Sequence, residues 1–272
     1  MAASRRVSLR RVLIAFYIAI VLVWIHVLAS FLYSTALVND HGVPKIDNQE
    51  PIAIVVGLPK SGTTSLHSFF SCSGYFATHY CCCGSNSTQY PCTNGRQMSE
   101  KLQENLRAGR PLFEETMETH GFPGKRSGVF HTQLDGETKQ DGYDYFLPQH
   151  YFLDELDEAA PQAVWILPLR PAEDWKRSVQ NWLDLEHRLE REYSQRSPTQ
   201  KEFNDFLLDF YRMHTELIRD YCRQRQKGAC LEVEINDPAA GKILEDFFTG
   251  TSAKCWNRQN AGAFFQAISP PS

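Results

Sequence analysis

The 272-residue sequence contains no internal repeat, no low-complexity tract and no CxxC pair of cysteines. The absence of biased segments argues against wholesale disorder, and 42% hydrophobic with 12% aromatic residues is sufficient to bury a core. Basic residues are not in excess either, because the formal net charge is −4 at pH 7. We therefore expect no nucleic-acid partner.

Charged residues are also missing from residues 12–33, VLIAFYIAIVLVWIHVLASFLY, which contain no Asp, Glu, Lys or Arg. As a helix this segment would span roughly 33 Å, enough to cross a hydrocarbon layer of about 30 Å. A cleaved signal peptide has a shorter apolar region, so the length favours a retained anchor. The segment predicts a single transmembrane helix.

The flanking charges predict its orientation. Arg5, Arg6, Arg10 and Arg11 precede the span, and Asp40 follows it. The positive-inside rule then places the amino terminus in the cytosol, which is type II topology. We predict a cytosolic tail at 1–11, a transmembrane signal anchor at 12–33, a stem at 34–50, a lumenal domain at 51–265 and a tail at 266–272.

The predicted lumenal part is acidic. Four of the 28 Lys and Arg residues and none of the 32 Asp and Glu residues lie in residues 1–33, which leaves 24 basic and 32 acidic side chains beyond them. An acceptor that is a dense polyanion would be repelled by this balance unless a local basic groove offsets it.

All eight cysteines follow the predicted anchor, where disulfides persist; they are Cys72, Cys81, Cys82, Cys83, Cys92, Cys222, Cys230 and Cys255. Their pairing cannot be read from the sequence. A zinc site built from His79 and the cluster 81–92 is the alternative, but adjacent cysteines are poorly placed as ligands, so disulfides are favoured. Asn86 begins an Asn-Ser-Thr glycosylation sequon, consistent with a lumenal surface loop.

A glycine-containing segment, GLPKSGTT at residues 57–64, follows the apolar run 52–56 and precedes a predicted helix from Ser65. Strand, glycine loop and helix together form a phosphate cradle, since loop amides and the helix dipole attract an anion. The alternative to a phosphate-binding loop is an ordinary Gly-Pro turn that only connects the strand to the helix. The pattern is not a Walker A loop, in which the lysine follows the second glycine, because here Lys60 precedes Gly62.

The arrangement GLPKSGTT resembles the 5′-phosphosulfate-binding loop of the sulfotransferases, which use 3′-phosphoadenosine 5′-phosphosulfate (PAPS) and no metal. The resemblance implies that Lys60 neutralises charge on the leaving group. It also implies that Lys60, Ser61, Gly62, Thr63 and Thr64 bind the donor.

Strands alternate with helices along the chain, which predicts an α/β protein with a central parallel sheet. The resemblance makes this a three-layer P-loop-like fold preceded by the transmembrane helix. Strands are predicted at 52–56, 74–80, 127–134, 163–169 and 230–235, and helices at 99–108, 149–158, 175–193, 202–226 and 238–248. The apolar stripes of the two long helices, which include Trp182, Leu185 and Leu189, are interpreted as core.

Arg170 ends the strand at 163–169, and Ser178 follows eight residues later. This spacing resembles the 3′-phosphate-binding strand and helix of the sulfotransferases, although Pro171 directly follows the arginine, where the family usually has one residue between them. A guanidinium fork and a hydroxyl are suitable donors for a terminal phosphate. The alternative is an ordinary ion pair of Arg170 with Glu173 or Asp174.

An acceptor hydroxyl also needs a general base. The candidates at strand ends are Asp135 first, His79 second and His131 third. Their structural alternatives are, respectively, a helix or turn cap, a core imidazole and a residue on the far face.

The sequence thus predicts a Golgi type II membrane sulfotransferase acting on a glycan or other secretory-pathway acceptor. The alternatives are a lumenal kinase or NTPase and a non-catalytic, membrane-anchored interaction domain.

Overall fold

The computed structural model describes residues 53–82, 96–114, 126–137, 145–196 and 205–257. The chain divides into two units, Met1–Lys45 and Ile46–Ser272, and every described residue belongs to the second. The predicted anchor at 12–33 and the sequon at Asn86 lie outside the described residues. Within those residues, no helix has the length and hydropathy needed to span a bilayer.

Nine short strands are described, β1 Ala53–Val55, β2 Tyr75–Thr78, β3 Cys81–Cys82, β4 Arg96–Gln97, β5 Arg126–His131, β6 Gly136–Glu137, β7 Tyr145–Phe146, β8 Val164–Leu169 and β9 Cys230–Glu234. Five of them form one parallel sheet in the order β2-β5-β1-β8-β9. The pairs β3–β4 and β6–β7 are separate antiparallel ribbons. The α/β class and the central parallel sheet are confirmed.

The described helices are α1 Thr63–Cys72, α2 Met98–Arg107, α3 Pro148–Tyr151, α4 Leu153–Ala159, α5 Ala172–Gln180, α6 Leu185–Arg196, α7 Phe206–Gln224 and α8 Ala240–Phe247, followed by a 3₁₀ turn at Ala253–Cys255. Asp205 caps α7, because its carboxylate accepts a hydrogen bond from the Leu208 amide. Polar caps of this kind satisfy one of the amides that a helix start leaves without a partner.

The sheet is buried on both faces, as its unbroken apolar strands require. Successive residues of β1 point to opposite faces: Ile54 belongs to a core with helices α2, α4 and α7, and Val55 belongs to a core with α1 and α8. A third apolar cluster joins α5, α6 and α7 beside the sheet. Helices therefore cover both faces of the sheet.

Pro168 lies inside β8, a central strand, where proline is unusual because it lacks the ladder amide. The pairing with β1 has already finished when the chain reaches this residue, since its last hydrogen bond joins the Val56 amide to the Ile166 carbonyl, 2.9 Å. The side of Pro168 that lacks an amide therefore faces the point at which the chain leaves β1. Its ring packs there against Gly57.

Two predicted helices are divided in the structure. The segment predicted as one helix at 175–193 forms α5 and α6, separated at residues 181–184, where Leu183 adopts a left-handed φ of 45°. The segment at 149–158 forms α3 and α4. In the first case the apolar spacing continues across the break, so periodicity alone predicts an unbroken helix.

Two cysteine pairs lie at disulfide-bonding distance. Cys72, the last residue of α1, is bonded to Cys255 in the 3₁₀ turn, and Cys222 in α7 is bonded to Cys230 at the start of β9. The prediction of disulfides is confirmed for these four cysteines, whereas the choice between disulfides and zinc for the cluster 81–92 stays a prediction. The side chains of the remaining four lie outside the described residues.

Candidate active site

The chain leaves β1 and enters α1 through residues 57–62, which we call the glycine loop. Five successive carbonyls at its base accept hydrogen bonds: Val56 O from His214 Nε2 (2.9 Å), Gly57 O from Gln149 Nε2 (3.3 Å), Leu58 O from Ser61 Oγ (2.6 Å), Pro59 O from Trp175 Nε1 (2.8 Å) and Lys60 O from Arg170 Nη1 (2.9 Å). Because a planar peptide unit points its N–H opposite to its C=O, the amides of Gly57, Leu58 and Lys60 point away from these donors. Pro59 has no N–H, and the Ser61 amide donates to the Leu58 carbonyl (3.2 Å).

Glycine is required at position 62. Its φ is +125°, and a Cβ there would lie 2.6 Å from Cγ2 of Ile235. Gly62 directly precedes α1, and no side chain caps that helix. The first amides of α1 and the positive end of its dipole are therefore available to an anion.

Lys60 stands in the middle of the loop with a left-handed φ of 68°. Its Nζ lies 3.6 Å from the ring centroid of Trp182, in the break between α5 and α6. Burial, and secondarily the charge of Arg170, lowers the pKa of Lys60 from 10.5 to about 8. The ammonium is thus predominantly charged at neutral pH, but it is easily deprotonated for a lysine.

Arg170 is fixed next to the loop at the carboxyl end of β8. Tyr211 holds its backbone on both sides, since the tyrosine hydroxyl donates to the Arg170 carbonyl (3.0 Å) and accepts from its amide (3.1 Å). The guanidinium in turn donates to the Lys60 carbonyl. Two cationic side chains therefore converge at the ends of neighbouring strands, where ligands bind in open α/β sheets.

His79 faces the start of α1 from just beyond the end of β2. Its Nε2 lies 3.3 Å from Thr64 Oγ1, and its Nδ1 lies 3.3 Å from Thr132 Oγ1. The Thr132 hydroxyl donates its single proton to the Thr78 carbonyl (2.6 Å), so it can only accept from His79. Nδ1 therefore carries the ring proton, and the lone pair of Nε2 points toward Thr64.

The electrostatic surroundings keep His79 neutral. Burial, followed by the nearby His67 and Lys60, lowers its pKa from 6.5 to about 3. His67, one turn along α1, places its ring 5.3 Å from that of His79. His79 is therefore unprotonated at Nε2 at neutral pH, the form that a general base needs before it accepts a proton, although the lowered pKa also makes the imidazole a weaker base.

Asp135, the first candidate base, lies four residues beyond β5 and is 1% exposed. Tyr145 and Gln133 donate to its Oδ2 (2.6 and 3.2 Å), and Gln149 donates to its Oδ1 (2.9 Å). Burial raises its pKa above the usual value. Because Gln149 also holds the Gly57 carbonyl, the contacts of Asp135 connect it to the base of the glycine loop. The role of general base stays a prediction.

His131 is completely buried at the end of β5. Its Nδ1 is 3.0 Å from Thr78 Oγ1, its ring stacks on Phe113 at 4.7 Å, and burial lowers its pKa to about 4. Packing of this kind is that of a core imidazole, whereas the alternative predicted for His131 was a residue on the far face.

The remaining predicted donors differ in their surroundings. Ser61 and Thr63 are buried, and the Ser61 hydroxyl is used within the loop by its bond to the Leu58 carbonyl. Thr64 is half-buried beside His79, and Ser178 is half-buried in α5. The structure thus brings Lys60, Thr64, His79 and Arg170 to one edge of the sheet, whereas Ser61 and Thr63 lie within its packing.

Sequence reasoning missed the residues that hold the loop carbonyls, namely Gln149, Trp175 and His214, and also Trp182 as the neighbour of Lys60. No motif marks them, because they are distant in sequence from the loop. The tryptophans fit equally well as apolar positions of amphipathic helices. Among the residues that the structure describes, no group of three or more His, Cys, Asp or Glu side chains is arranged to hold a metal ion.

Comparison with known proteins assigns the family. The family model described as "Sulfotransferase domain" matches residues 53–237, which is more than half of the chain and runs from β1 to the end of β9. No curated protein matches the sequence. The matched region contains the glycine loop, His79, Asp135 and Arg170, and so covers the site described above. The chain therefore belongs to the sulfotransferase family of PAPS-dependent enzymes.

Proposed function

We propose that this protein transfers the sulfuryl group of PAPS to a hydroxyl or amine of a glycan or other secretory-pathway acceptor. The observation that carries the proposal is the convergence of Lys60 and Arg170 at the ends of β1 and β8, joined by the hydrogen bond from the guanidinium to the Lys60 carbonyl. Two cations on neighbouring strand ends suit a ligand with two separate phosphate groups.

The residues present fit such a donor. The glycine loop has its carbonyls turned to the protein, and the space of a Cβ at Gly62 is already filled by Ile235. In our assignment the loop amides, Lys60 and Thr64 hold the 5′-phosphate side, with Ser61 and Thr63 supporting the loop. Arg170 and Ser178 hold the 3′-phosphate. PAPS supplies the transferable sulfuryl group when it is bound.

Two catalytic roles, charge stabilisation and general-base catalysis, can be assigned to residues of this chain. Lys60 would stabilise the negative charge that develops on the leaving phosphate oxygen, which is the main electrostatic demand of such a transfer. For the general base we favour His79, because it is half-buried where Asp135 is buried, and because its unprotonated Nε2 lies beside Thr64 at the start of α1. Asp135 has both carboxylate oxygens engaged by donors, which supports a role in positioning Gln149 and the loop.

We also propose that the protein is a single-pass type II membrane protein of the Golgi with its catalytic domain in the lumen. The support is the uncharged segment 12–33 with arginines before it, together with disulfides at Cys72–Cys255 and Cys222–Cys230. Disulfides persist in the secretory pathway and are rare in the cytosol. We expect Asn86 to be glycosylated in that compartment.

The test is binding of 3′-phosphoadenosine 5′-phosphate to the full-length, oxidised protein by calorimetry without metal, with ATP and Mg²⁺ in parallel. We expect micromolar binding of the former, because this nucleotide product of the transfer retains both phosphate groups. Arg170→Ala should weaken it roughly 10- to 100-fold through loss of a charge-assisted contact. Arg223→Ala is the matched control, since that exposed arginine pairs with Asp220 at the far end of α7.

Each alternative has its own result. Hydrolysis of ATP with Mg²⁺, without binding of 3′-phosphoadenosine 5′-phosphate, would indicate an NTPase or kinase. No binding of either nucleotide by folded protein would leave a non-catalytic anchored domain and overturn the proposal.

A further inference from the structure

Trp182 contacts Lys60, the residue on which the proposed chemistry depends, from a separate part of the chain. The indole lies against the third apolar cluster, with the Lys60 ammonium 3.6 Å from its ring centroid. A cation over the face of a tryptophan is attracted by the negative charge density of the ring. The contact is therefore electrostatic as well as steric.

The turn that carries Trp182 has a fixed backbone. The Trp182 amide donates to the Val179 carbonyl (2.9 Å), and its carbonyl accepts from the Leu185 amide (3.0 Å). The next residue, Leu183, takes a left-handed φ of 45° and leaves 73% of its surface exposed. Non-glycine residues avoid this conformation, and an exposed leucine gains no burial from it. Leu183 thus lies in the break that follows the end of α5 at Gln180, directly after the indole that contacts Lys60.

The surroundings of Lys60 otherwise oppose its charge. Burial disfavours the ammonium, and the nearby Arg170 repels it. Among these influences, the indole face is one that favours the charged form. It also restricts a side chain that otherwise has four rotatable bonds.

We propose that Trp182 is a positioning residue for Lys60, which holds the ammonium in its charged form beside the glycine loop. This inference rests on the proposed function, because it gives Trp182 a purpose only if Lys60 acts on an anionic ligand. It assigns the break between α5 and α6 to the active site.

The first experiment measures the pKa of Lys60 in the nucleotide-free, full-length protein. Trace labelling with acetic anhydride across a pH series, with the Lys60 peptide quantified by mass spectrometry, reports its free-amine fraction. Trp182→Leu keeps an apolar cover but removes the aromatic face, so the pKa should fall from about 8 to roughly 7–7.5. Trp182→Phe should restore part of the difference. Leu183→Ala, which leaves the indole in place, is the control.

The second experiment compares binding of 3′-phosphoadenosine 5′-phosphate at about pH 6.5 and about pH 8.5. Trp182→Leu should bind roughly 3- to 10-fold more weakly than the wild type at the higher pH, with a smaller difference at the lower pH. A merely structural role would weaken binding equally at both.

An unchanged or raised Lys60 pKa in Trp182→Leu, with folding intact by circular dichroism, would overturn the inference. The labelling experiment needs no nucleotide, so it separates the two proposals. Absence of nucleotide binding by the wild type would refute the proposed function while the labelling result stands on its own.

Discussion

At the scale of single residues, the ionisation of Lys60 connects the site to pH. Its pKa of about 8 in the nucleotide-free protein results from burial and from the charge of Arg170. A bound polyanion opposes both effects, since it attracts the ammonium. The nucleotide-bound protein should therefore hold its Lys60 proton to a higher pH than the free protein does.

This difference predicts proton uptake on binding. Above pH 8 the free protein has lost the Lys60 proton that the complex retains, so apparent affinity for 3′-phosphoadenosine 5′-phosphate should fall as pH rises from 7 to 9, by at most about tenfold per pH unit. Calorimetry in buffers of different ionisation enthalpy measures the uptake directly. Lys60→Arg, which stays charged in this range, should abolish it. Proton release, or uptake that survives in the arginine variant, would contradict the assignment.

Single residues also show where sequence reasoning reached its limit. Lys60, Thr64 and Arg170 were predicted because they belong to local patterns, a loop motif and the end of an apolar strand. His79 was a candidate only through its place after a strand, and the direction of its lone pair depends on Thr132, which no motif identifies. Burial and hydrogen-bond partners set the properties of such groups, and both arise from the folded chain.

At the scale of elements, β1, the glycine loop and α1 were predicted as a strand, a loop and a helix, because unbroken apolar runs and glycines are strong local signals. The division between α5 and α6 was not predicted. Val179, Trp182, Leu185 and Leu189 keep a helical spacing through the break, and only the fold determines that Trp182 lies against Lys60 while Leu185 and Leu189 enter the core.

The junction of the loop and α1 gives a matched pair of glycine substitutions. Gly62→Ala should lower the free energy of unfolding by about 2–4 kcal/mol, because it adds a contact of 2.6 Å to Ile235 and a disfavoured φ. It should also weaken nucleotide binding more than about tenfold, since the relaxed loop displaces its amides.

Gly109→Ala is the control, because Gly109 also has a positive φ of +61° but a Cβ there meets nothing within 4 Å. This variant should lose about 1 kcal/mol and bind normally. Denaturant unfolding and calorimetry of both variants measure the two effects. Equal loss of binding in the two proteins would show that the loop geometry at Gly62 is not what the ligand requires.

At the scale of the whole molecule, alternating strands and helices were enough to predict the α/β class, but not the pairing of the cysteines. Pairing depends on which distant ends meet. Cys72 ends α1 and Cys255 lies in the 3₁₀ turn, 183 residues later, where Trp256 also packs against Phe69 at 6.0 Å. No local pattern contains that proximity.

The two bonds differ in the length of chain that they close, 183 and 8 residues. If they act mainly on the entropy of the unfolded chain, removing them should cost roughly 5 and roughly 2.5 kcal/mol respectively. The double variants Cys72→Ser/Cys255→Ser and Cys222→Ser/Cys230→Ser, compared by denaturant unfolding without reductant, test this order. A larger loss from the second pair would show that local strain or packing outweighs chain entropy.

The carbonyls at the base of the glycine loop are held by side chains from α3, α5 and α7 and by the residue that follows β8. A peptide comprising only β1, the loop and α1 would contain every residue of the recognisable motif and almost none of these donors. Transplanting the motif into another scaffold would therefore not transfer its affinity for nucleotides. For protein engineers the transferable unit is the sheet together with helices from both of its faces, because α1 packs on one face and α7 on the other. The short sequence signature only marks its location.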